Sequence, residues 1–247
     1  MKHYLYLLLA VSLPAFAQDN EIKTDRPDQT ECADIVPAGR FQMENGFMHT
    51  KTEKGAYEMM LPTALSKFGI NEKLEVRLTT NLVYTKTPDS TATGFEPVGV
   101  GCKVSLWEEK GILPKASVIG EMTLPDVASK QYKQKYLAPQ IQLLFQNTVS
   151  DAFGIGYNFD MQWDGEHTEP GYEYTISPEY SLTEKLSTFI ELYGFMAGHA
   201  RTDNWADGGF KILIGKDMQL DLAGGYELTA HSRYHRFFET VGFSFRI

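Results

Sequence analysis

The stretch from Phe153 to Trp163, F-G-I-G-Y-N-F-D-M-Q-W, restricts the fold of this chain more than any other. Its odd-numbered positions are all aromatic or aliphatic, and its even-numbered positions are glycine or polar. Because successive side chains of a strand point to opposite faces, the segment predicts a β-strand with one apolar and one polar face. Its length matches the roughly 9–11 residues with which a tilted strand crosses a bilayer, with aromatic rings at the two interfaces.

The same alternation recurs after residue 40 and predicts twelve strands. They cover residues 40–49, 57–67, 74–84, 97–107, 114–124, 138–147, 153–163, 172–182, 186–196, 205–214, 218–228 and 237–247. The connections alternate between tight turns near residues 70, 109, 150, 184 and 216 and longer polar loops at 50–56, 85–96, 125–137, 164–171, 197–204 and 229–236. Short periplasmic turns, long external loops and an even strand number are typical of outer-membrane barrels. A secreted, aromatic-rich β-protein could also be a soluble sandwich, but a sandwich gives no reason for loops to alternate in length. We therefore predict an all-β fold, a single antiparallel transmembrane β-barrel of about 12 strands over residues 40–247.

The first residues indicate export. A basic start at Lys2 precedes the apolar run from Tyr4 to Leu13, and Ala15-Phe16-Ala17 has the small-x-small shape of a signal-peptidase site. This predicts a signal peptide over residues 1–17. Together with the barrel pattern, it predicts the cell outer membrane of a Gram-negative bacterium. The formal net charge of −9 argues against nucleic acid as a partner.

If the apolar parity faces lipid, the other parity lines the lumen. The candidate lumen-lining residues are Glu75, Arg77, Lys103, Lys115, Glu121, Gln142, Asn158, Asp160, Glu173, Glu179, Glu191, Asp221 and Glu227. Buried charges must be paired or solvated, so these groups either satisfy one another in a closed lumen or line a conduit. Strand number leaves both open, because about eight strands fill their own interior and roughly 16–18 enclose a channel.

Residues 18–39 have no periodicity and form a separate N-terminal extension. Asp25, Asp28 and Glu31 surround Arg26, and Pro27 stiffens the chain between them. Two interpretations stay open at this point. The segment is either a plug or gate that docks on lumen charges, or a periplasmic tail that caps the end of the barrel through ion pairs.

This N-terminal region also carries a family resemblance. T-D-R-P-D-Q-T-E at 24–31 and V-P-A-G-R-F-Q-M-E-N-G-F at 36–47, with L-P-D at 124–126, resemble the outer-membrane "transporter" proteins of the MetA-pathway of phenol degradation family. The resemblance implies a β-barrel that moves small molecules, aromatic or hydrophobic ones among them. We therefore expect a channel or transporter for an unidentified small solute, without a cofactor. The alternative is a structural or surface-interaction barrel with a closed lumen.

The histidines support a third interpretation. His49, His167, His199, His231 and His235 all fall at the loop end of the predicted barrel, so an outer-rim hydrolase or a transition-metal site could be built there. Polar external loops also tolerate histidine without any such role. No H-E-x-x-H, G-x-S-x-G or C-x-x-C spacing occurs. We expect no enzymatic activity and no bound metal.

Other features concern partners. Trp107, Trp163 and Trp205 fall at strand ends, which predicts anchors in the interfacial belts facing membrane lipid. The basic loop 130–135 is a candidate contact for lipopolysaccharide phosphates. The aromatic C-terminal strand 243–247 resembles the address read by the barrel-assembly machinery. Cys32 and Cys102 are too few for a disulfide framework, and we predict two unpaired thiols.

Overall fold

A computed structural model describes residues 21–197, 202–229 and 235–247. The predicted signal peptide and two of the loop histidines, His199 and His231, lie outside the described residues. Within these ranges, no helix is long and apolar enough to cross a membrane. A three-residue 3-10 helix occurs at Lys130–Tyr132.

The described residues form strands that pair antiparallel into a closed barrel. The strands are β1 (Phe41–Glu53), β2 (Ala56–Asn71), β3 (Leu74–Lys86), β4 (Thr91–Phe95), β5 (Val98–Trp107), β6 (Lys115–Leu124), β7 (Ala138–Ser150), β8 (Phe153–Gln162), β9 (Gly171–Ser181), β10 (Leu186–Ala197), β11 (Asp203–Leu213), β12 (Met218–Glu227) and β13 (Phe237–Arg246). Neighbours in the chain pair with each other except β4 and β5: the short β4 pairs with the end of β3, and β3 pairs with β5. Closure comes from β1, which pairs with β2 on one side and β13 on the other. The predicted antiparallel barrel of twelve strands is confirmed.

The two faces of each strand differ as the alternation predicts. On β8, the side chains of Asn158 and Asp160 are 1% and 5% exposed, whereas Phe159 between them is 56% exposed. Apolar residues are likewise exposed on the outer faces of the other barrel strands, which places an apolar band around the barrel and polar groups inside it. This is the arrangement of a transmembrane β-barrel, in which lipid meets the outer face.

The alternation places Tyr57 and Leu65 of the predicted strand 57–67 on the same, lipid-facing parity, and this prediction is wrong in the second half of β2. A β-bulge inserts an extra residue between Met60 and Thr63, around Pro62. The bulge reverses the faces, so Leu65 lies opposite Glu44 on the inner wall instead of facing lipid with Tyr57. Proline cannot donate to a strand ladder and is found at bulges, which explains the position of the change.

The loop prediction is wrong at one place and incomplete at another. The external loop expected at 50–56 is a tight turn, because β1 and β2 extend until only residues 54 and 55 separate them, and Gly55 adopts a φ of +79°. The loop at 85–96 contains β4, which pairs with the end of β3. We call the end with the turns after β2, β5, β7, β9 and β11 the turn end, and the opposite end the loop end.

The interfacial role predicted for Trp205 is also wrong. Its side chain is buried on the inner face of β11 and stacks on Tyr193 of β10, with Phe238 of β13 beside it. Its place at a strand end predicts an interfacial anchor, but the parity of β11 puts position 205 on the same face as Asp207. Trp107, at the end of β5, is 43% exposed.

Candidate functional site in the barrel lumen

Residues 21–39, which we call the N-terminal segment, lie against the inner wall of the barrel near the turn end. The segment starts at the β11–β12 turn, where the Ile22 N–H donates to the Lys216 carbonyl at 2.7 Å. It finishes at the end of β2, where the Gly39 N–H donates to the Gly69 carbonyl at 2.8 Å. Between these points it crosses the lumen, and its side chains contact strands on several sides of the barrel.

Asp25 is the most connected residue of the segment. Its carboxylate accepts from Lys67 Nζ at 2.7 Å, Lys103 Nζ at 3.0 Å and Arg77 Nη1 at 3.2 Å, and its own N–H donates to Glu44 Oε2 at 2.9 Å. Burial alone would raise the pKa of the Asp25 carboxyl, but Lys103, Lys67 and Arg77 together hold it well below its ordinary value. The carboxylate is therefore charged and paired inside the barrel.

Arg26 lies across the line where the first and last strands meet. Its Nη2 donates to Asp221 Oδ1 at 3.0 Å and to Thr240 Oγ1 at 2.9 Å. Gly46 of β1 and Gly242 of β13 are directly opposite each other, and a Cβ at either position would overlap the guanidinium. Two glycines thus leave the space that the arginine occupies.

The next turn of the segment binds the wall formed by β9, β10 and β11. Asp28 accepts from Ser177 Oγ at 2.9 Å and lies 3.1 Å from Lys211 Nζ. Thr30 and the residue before it donate their backbone N–H groups to the two carboxylate oxygens of Glu191, at 2.7 and 2.8 Å. These bonds to an ionised acceptor are of the stronger, charge-assisted kind.

The last part of the segment binds the opposite wall. Glu31 Oε2 lies 2.8 Å from Arg77 Nη2, and Asp34 Oδ1 lies 2.8 Å from Lys115 Nζ. Ala33 makes no ion pair, and its methyl group packs with Ile119 of β6 and Leu144 of β7 in a small buried cluster. The segment is held by many ion pairs and hydrogen bonds, and its buried hydrophobic side chains are Ile22, Ala33 and Val36.

The residues chosen from the sequence separate into two groups. Those that bind the N-terminal segment directly are Glu75, Arg77, Lys103, Lys115, Asn158, Glu191 and Asp221, and Glu179 joins them through Lys211. Those on the inner face farther toward the loop end are Glu121, Gln142, Asp160, Glu173 and Glu227. From the segment itself, Asp25, Arg26, Asp28 and Glu31 all contact inner-wall residues.

The residues of this site that sequence reasoning missed include Lys67, Lys211, Gly46 and Gly242. Lys67 lies after the β2 bulge, so counting parity from the start of the strand gives the wrong face. Lys211 carries a signal that could have found it, since it shares the parity of Asp207 on β11. Gly46 and Gly242 carry none, because their role depends on the pairing of the first strand with the last.

Cavities remain on both sides of the N-terminal segment. One of about 290 Å³ lies toward the turn end, between the segment and the strands that carry Gly156, Ser177 and Lys211. Another of about 280 Å³ lies toward the loop end, between Asn81 and Glu121. The lumen is thus divided by the segment and is not filled by side chains throughout.

The described histidines lie apart from the lumen network. His49 Nδ1 is 3.2 Å from Glu239, His167 Nδ1 is 2.7 Å from Asp164, and the His235 ring stacks on Tyr226. In the ranges that the structure describes, no group of three or more His, Cys, Asp and Glu side chains is placed to hold a metal ion. Cys32 and Cys102 are free thiols.

A family model described as "Putative MetA-pathway of phenol degradation" matches residues 24–247. The match covers the N-terminal segment from Thr24 and the whole barrel. No curated protein matches the chain in sequence.

Solved structures share the fold at low sequence identity. A COG4313 outer membrane channel from Pseudomonas putida F1 superposes with a TM-score of 0.70 at 10% identity, covering 87% of this chain and 98% of that one. The NanC porin gives a TM-score of 0.57 at 8% identity, covering 83% and 98%. The CymD monoaromatic hydrocarbon channel gives 0.50 at 8% identity, covering 86% and 89%. At these identities the likeness establishes the barrel fold.

Proposed function

The chain belongs to the family described as "Putative MetA-pathway of phenol degradation", and from this premise we propose that it is an outer-membrane channel for small solutes. In this proposal the N-terminal segment closes the lumen near the turn end, which faces the periplasm. The proposal assigns no catalytic step to the protein. It draws on the names of the structural neighbours, an outer membrane channel, a porin and a hydrocarbon channel.

One observation carries the proposal: a polar segment crosses a polar lumen and is held by exchangeable contacts. Water and mobile ions can replace each ion pair that Asp25, Asp28 and Glu31 make with the wall. A segment packed through apolar area would be part of a permanent core, because removing it would expose that area to water. A polar plug in a polar lumen can leave and return.

The outer surface fits a membrane setting. The apolar band meets lipid, and the basic loop that includes Lys133 and Lys135 lies at the loop end, where lipopolysaccharide phosphates are found. The C-terminal strand β13 presents Phe243 and Phe245 on one face as a candidate signal for the barrel-assembly machinery. These partners are part of the proposal.

The test is Asp25→Asn, which removes the charge that three buried cations share. In planar lipid bilayers, we expect this variant to show a mean conductance several-fold above that of the wild type, because the segment loses its strongest attachment. Glu21→Gln removes a carboxylate from the exposed start of the same segment and should leave conductance unchanged.

Two results would contradict the proposal. If wild type and Asp25→Asn are both silent while the folded barrel is present in the membrane, the lumen is closed and the protein is a structural barrel. If the wild type already conducts as well as Asp25→Asn, the segment is no barrier.

A further inference from the structure

Two pairs of carboxylates face each other directly across neighbouring strands on the inner wall. Asp160 of β8 is opposite Glu173 of β9, and Glu191 of β10 is opposite Asp207 of β11. Like charges directly opposite on a sheet are destabilising. Such pairs persist in a folded wall only where a proton or a cation comes between them, or where another role favours them.

Two of these carboxylates are buried and have oxygens that no hydrogen-bond donor in the described part of the chain reaches. Asp207 is 8% exposed, and within the described residues no hydrogen-bond donor reaches either of its oxygens. Asp160 is 5% exposed, and its Oδ1 has no donor, although its Oδ2 accepts from Gln140. A buried carboxylate oxygen without a donor costs free energy, so these atoms point to a missing positive group.

The bases of the inner wall are committed elsewhere. Lys211 lies on the same strand face as Asp207, but its ammonium binds Asp28 at 3.1 Å and Glu179 at 3.0 Å. Arg236, at the loop end, binds Glu227 at 3.0 Å and also Asp203. Neither base is available to neutralise Asp207 without giving up these partners.

Aromatic rings border the two pairs. Tyr193 follows Glu191 by two residues on β10, and Trp205 precedes Asp207 by two residues on β11, so each ring shares a face with a carboxylate. The two rings are stacked, with centroids 6.1 Å apart and planes at 8°. The guanidinium of Arg236 already lies 5.2 Å from the Trp205 ring centroid, so this cluster accepts a cation on its π-face.

We propose that Asp160, Glu173, Glu191, Asp207, Tyr193 and Trp205, the carboxylate–aromatic patch, bind a small organic ammonium ion with an aromatic or aliphatic body. Its ammonium lies between the carboxylates, where it supplies the donors that Asp207 lacks, and its apolar body rests against the rings. Carboxylates provide the charge and aromatic faces add cation–π attraction, the combination by which proteins hold organic cations. This rests on the proposed function in so far as the ion is a solute that enters from the loop end.

Binding is tested separately from conduction, with Trp205 as the reporter. Trp107→Phe and Trp163→Phe leave Trp205 as the single tryptophan of the purified, detergent-folded barrel. The probes are phenethylammonium, its neutral analogue 2-phenylethanol and the anion phenylacetate. We expect saturable quenching of Trp205 by phenethylammonium, with apparent affinity at least tenfold above that for the other two.

Asp207→Asn is the test variant in this background and should weaken phenethylammonium binding about tenfold, as expected when a charge-assisted contact is lost. Glu96→Gln is the matched control, since it removes a carboxylate that is bound to Asn81 on the other side of the lumen. Heat-modifiable migration and far-UV circular dichroism verify that each variant is folded.

The outcomes separate this inference from the proposed function. Equal quenching by the three probes, or an unchanged titration with Asp207→Asn, would mean that the pair only shares a proton, and the inference fails. Selective quenching in a barrel that never conducts would retain the binding site and reject the channel.

Discussion

At the scale of single residues, most charges of the N-terminal segment have a partner of opposite charge on the inner wall. Asp25 meets three bases, and Arg26 meets an acid, a hydroxyl and the space above two glycines. The reactivity of Cys32 can be used to follow docking of the segment. The Cys32 thiol lies 3.2 Å from Asp25 Oδ1, and burial raises the pKa of this thiol. A docked segment therefore protects the thiol from reagents.

The glycine pair gives a steric prediction. Gly242→Ala places a methyl group where the Arg26 guanidinium lies, so the arginine must leave Asp221. In a Cys102→Ser background, we expect Cys32 to react with a water-soluble methanethiosulfonate several times faster than in the parent. Gly120→Ala adds the same methyl group where nothing lies within 4 Å and should not change the rate. Equal rates for both variants would show that the arginine site does not hold the segment.

Asp25 gives a prediction about pH. Because its pKa is lower when the segment is docked, its contribution to docking is present above its ordinary value of 3.8 and is lost as pH falls below that towards the docked value. The difference in bilayer conductance between wild type and Asp25→Asn should thus stay constant from about pH 8 to about pH 4 and shrink at lower pH. A difference that vanishes already near pH 6 would contradict the assigned pairing.

At the scale of elements, the strands could be predicted because a bilayer outside and water or charge inside impose a two-residue period. β8 shows this most clearly, and the same period predicts all twelve barrel strands. The two-residue period does not reveal the bulge in β2, since one inserted residue leaves both halves of the strand well patterned, and the signal for the bulge is Pro62 inside the strand. The contact of Arg26 with Gly46 and Gly242 was likewise hidden, because it depends on a pairing between residues almost two hundred positions apart.

Contact between lipid and the outer face of β10 can be tested by introducing a charge there. Ile190, near the middle of the strand, is 68% exposed to the surroundings of the barrel. Ile190→Lys should lower the free energy of unfolding by about 2–4 kcal/mol, the cost of a lysine near the bilayer midplane. Urea titrations in phospholipid vesicles measure it, and Glu184→Lys in the β9–β10 turn is the control that should change little. A negligible effect of Ile190→Lys would mean that water, and not lipid, covers this face.

At the scale of the whole molecule, the charges of the lumen are sorted along its axis. Lys67, Lys103 and Lys115 lie toward the turn end against the N-terminal segment, which itself carries five acids and two bases. Toward the loop end, carboxylates such as Asp160 and Glu173 dominate the inner wall. An ion entering from outside therefore meets negative charge first.

This sorting predicts cation selectivity. With the segment loosened by Asp25→Asn, the reversal potential across a KCl gradient should have the sign of a K⁺-selective pore. Glu173→Gln added to this variant should move the potential toward zero, and so should molar salt, which screens the wall charges. A reversal potential of the opposite sign would place the selectivity in the bases near the turn end.

Of the two glycines beside the Arg26 guanidinium, Gly46 lies on the first strand and Gly242 on the last. They meet at the seam, where β1 and β13 pair and close the barrel. A slip of one residue at that seam would turn one of the two glycines outward, and a slip of two would set Gly46 against Thr240 or Ser244. In either case a side chain would enter the space that the Arg26 guanidinium occupies. The N-terminal segment therefore fits only a barrel whose first and last strands have paired in the correct register.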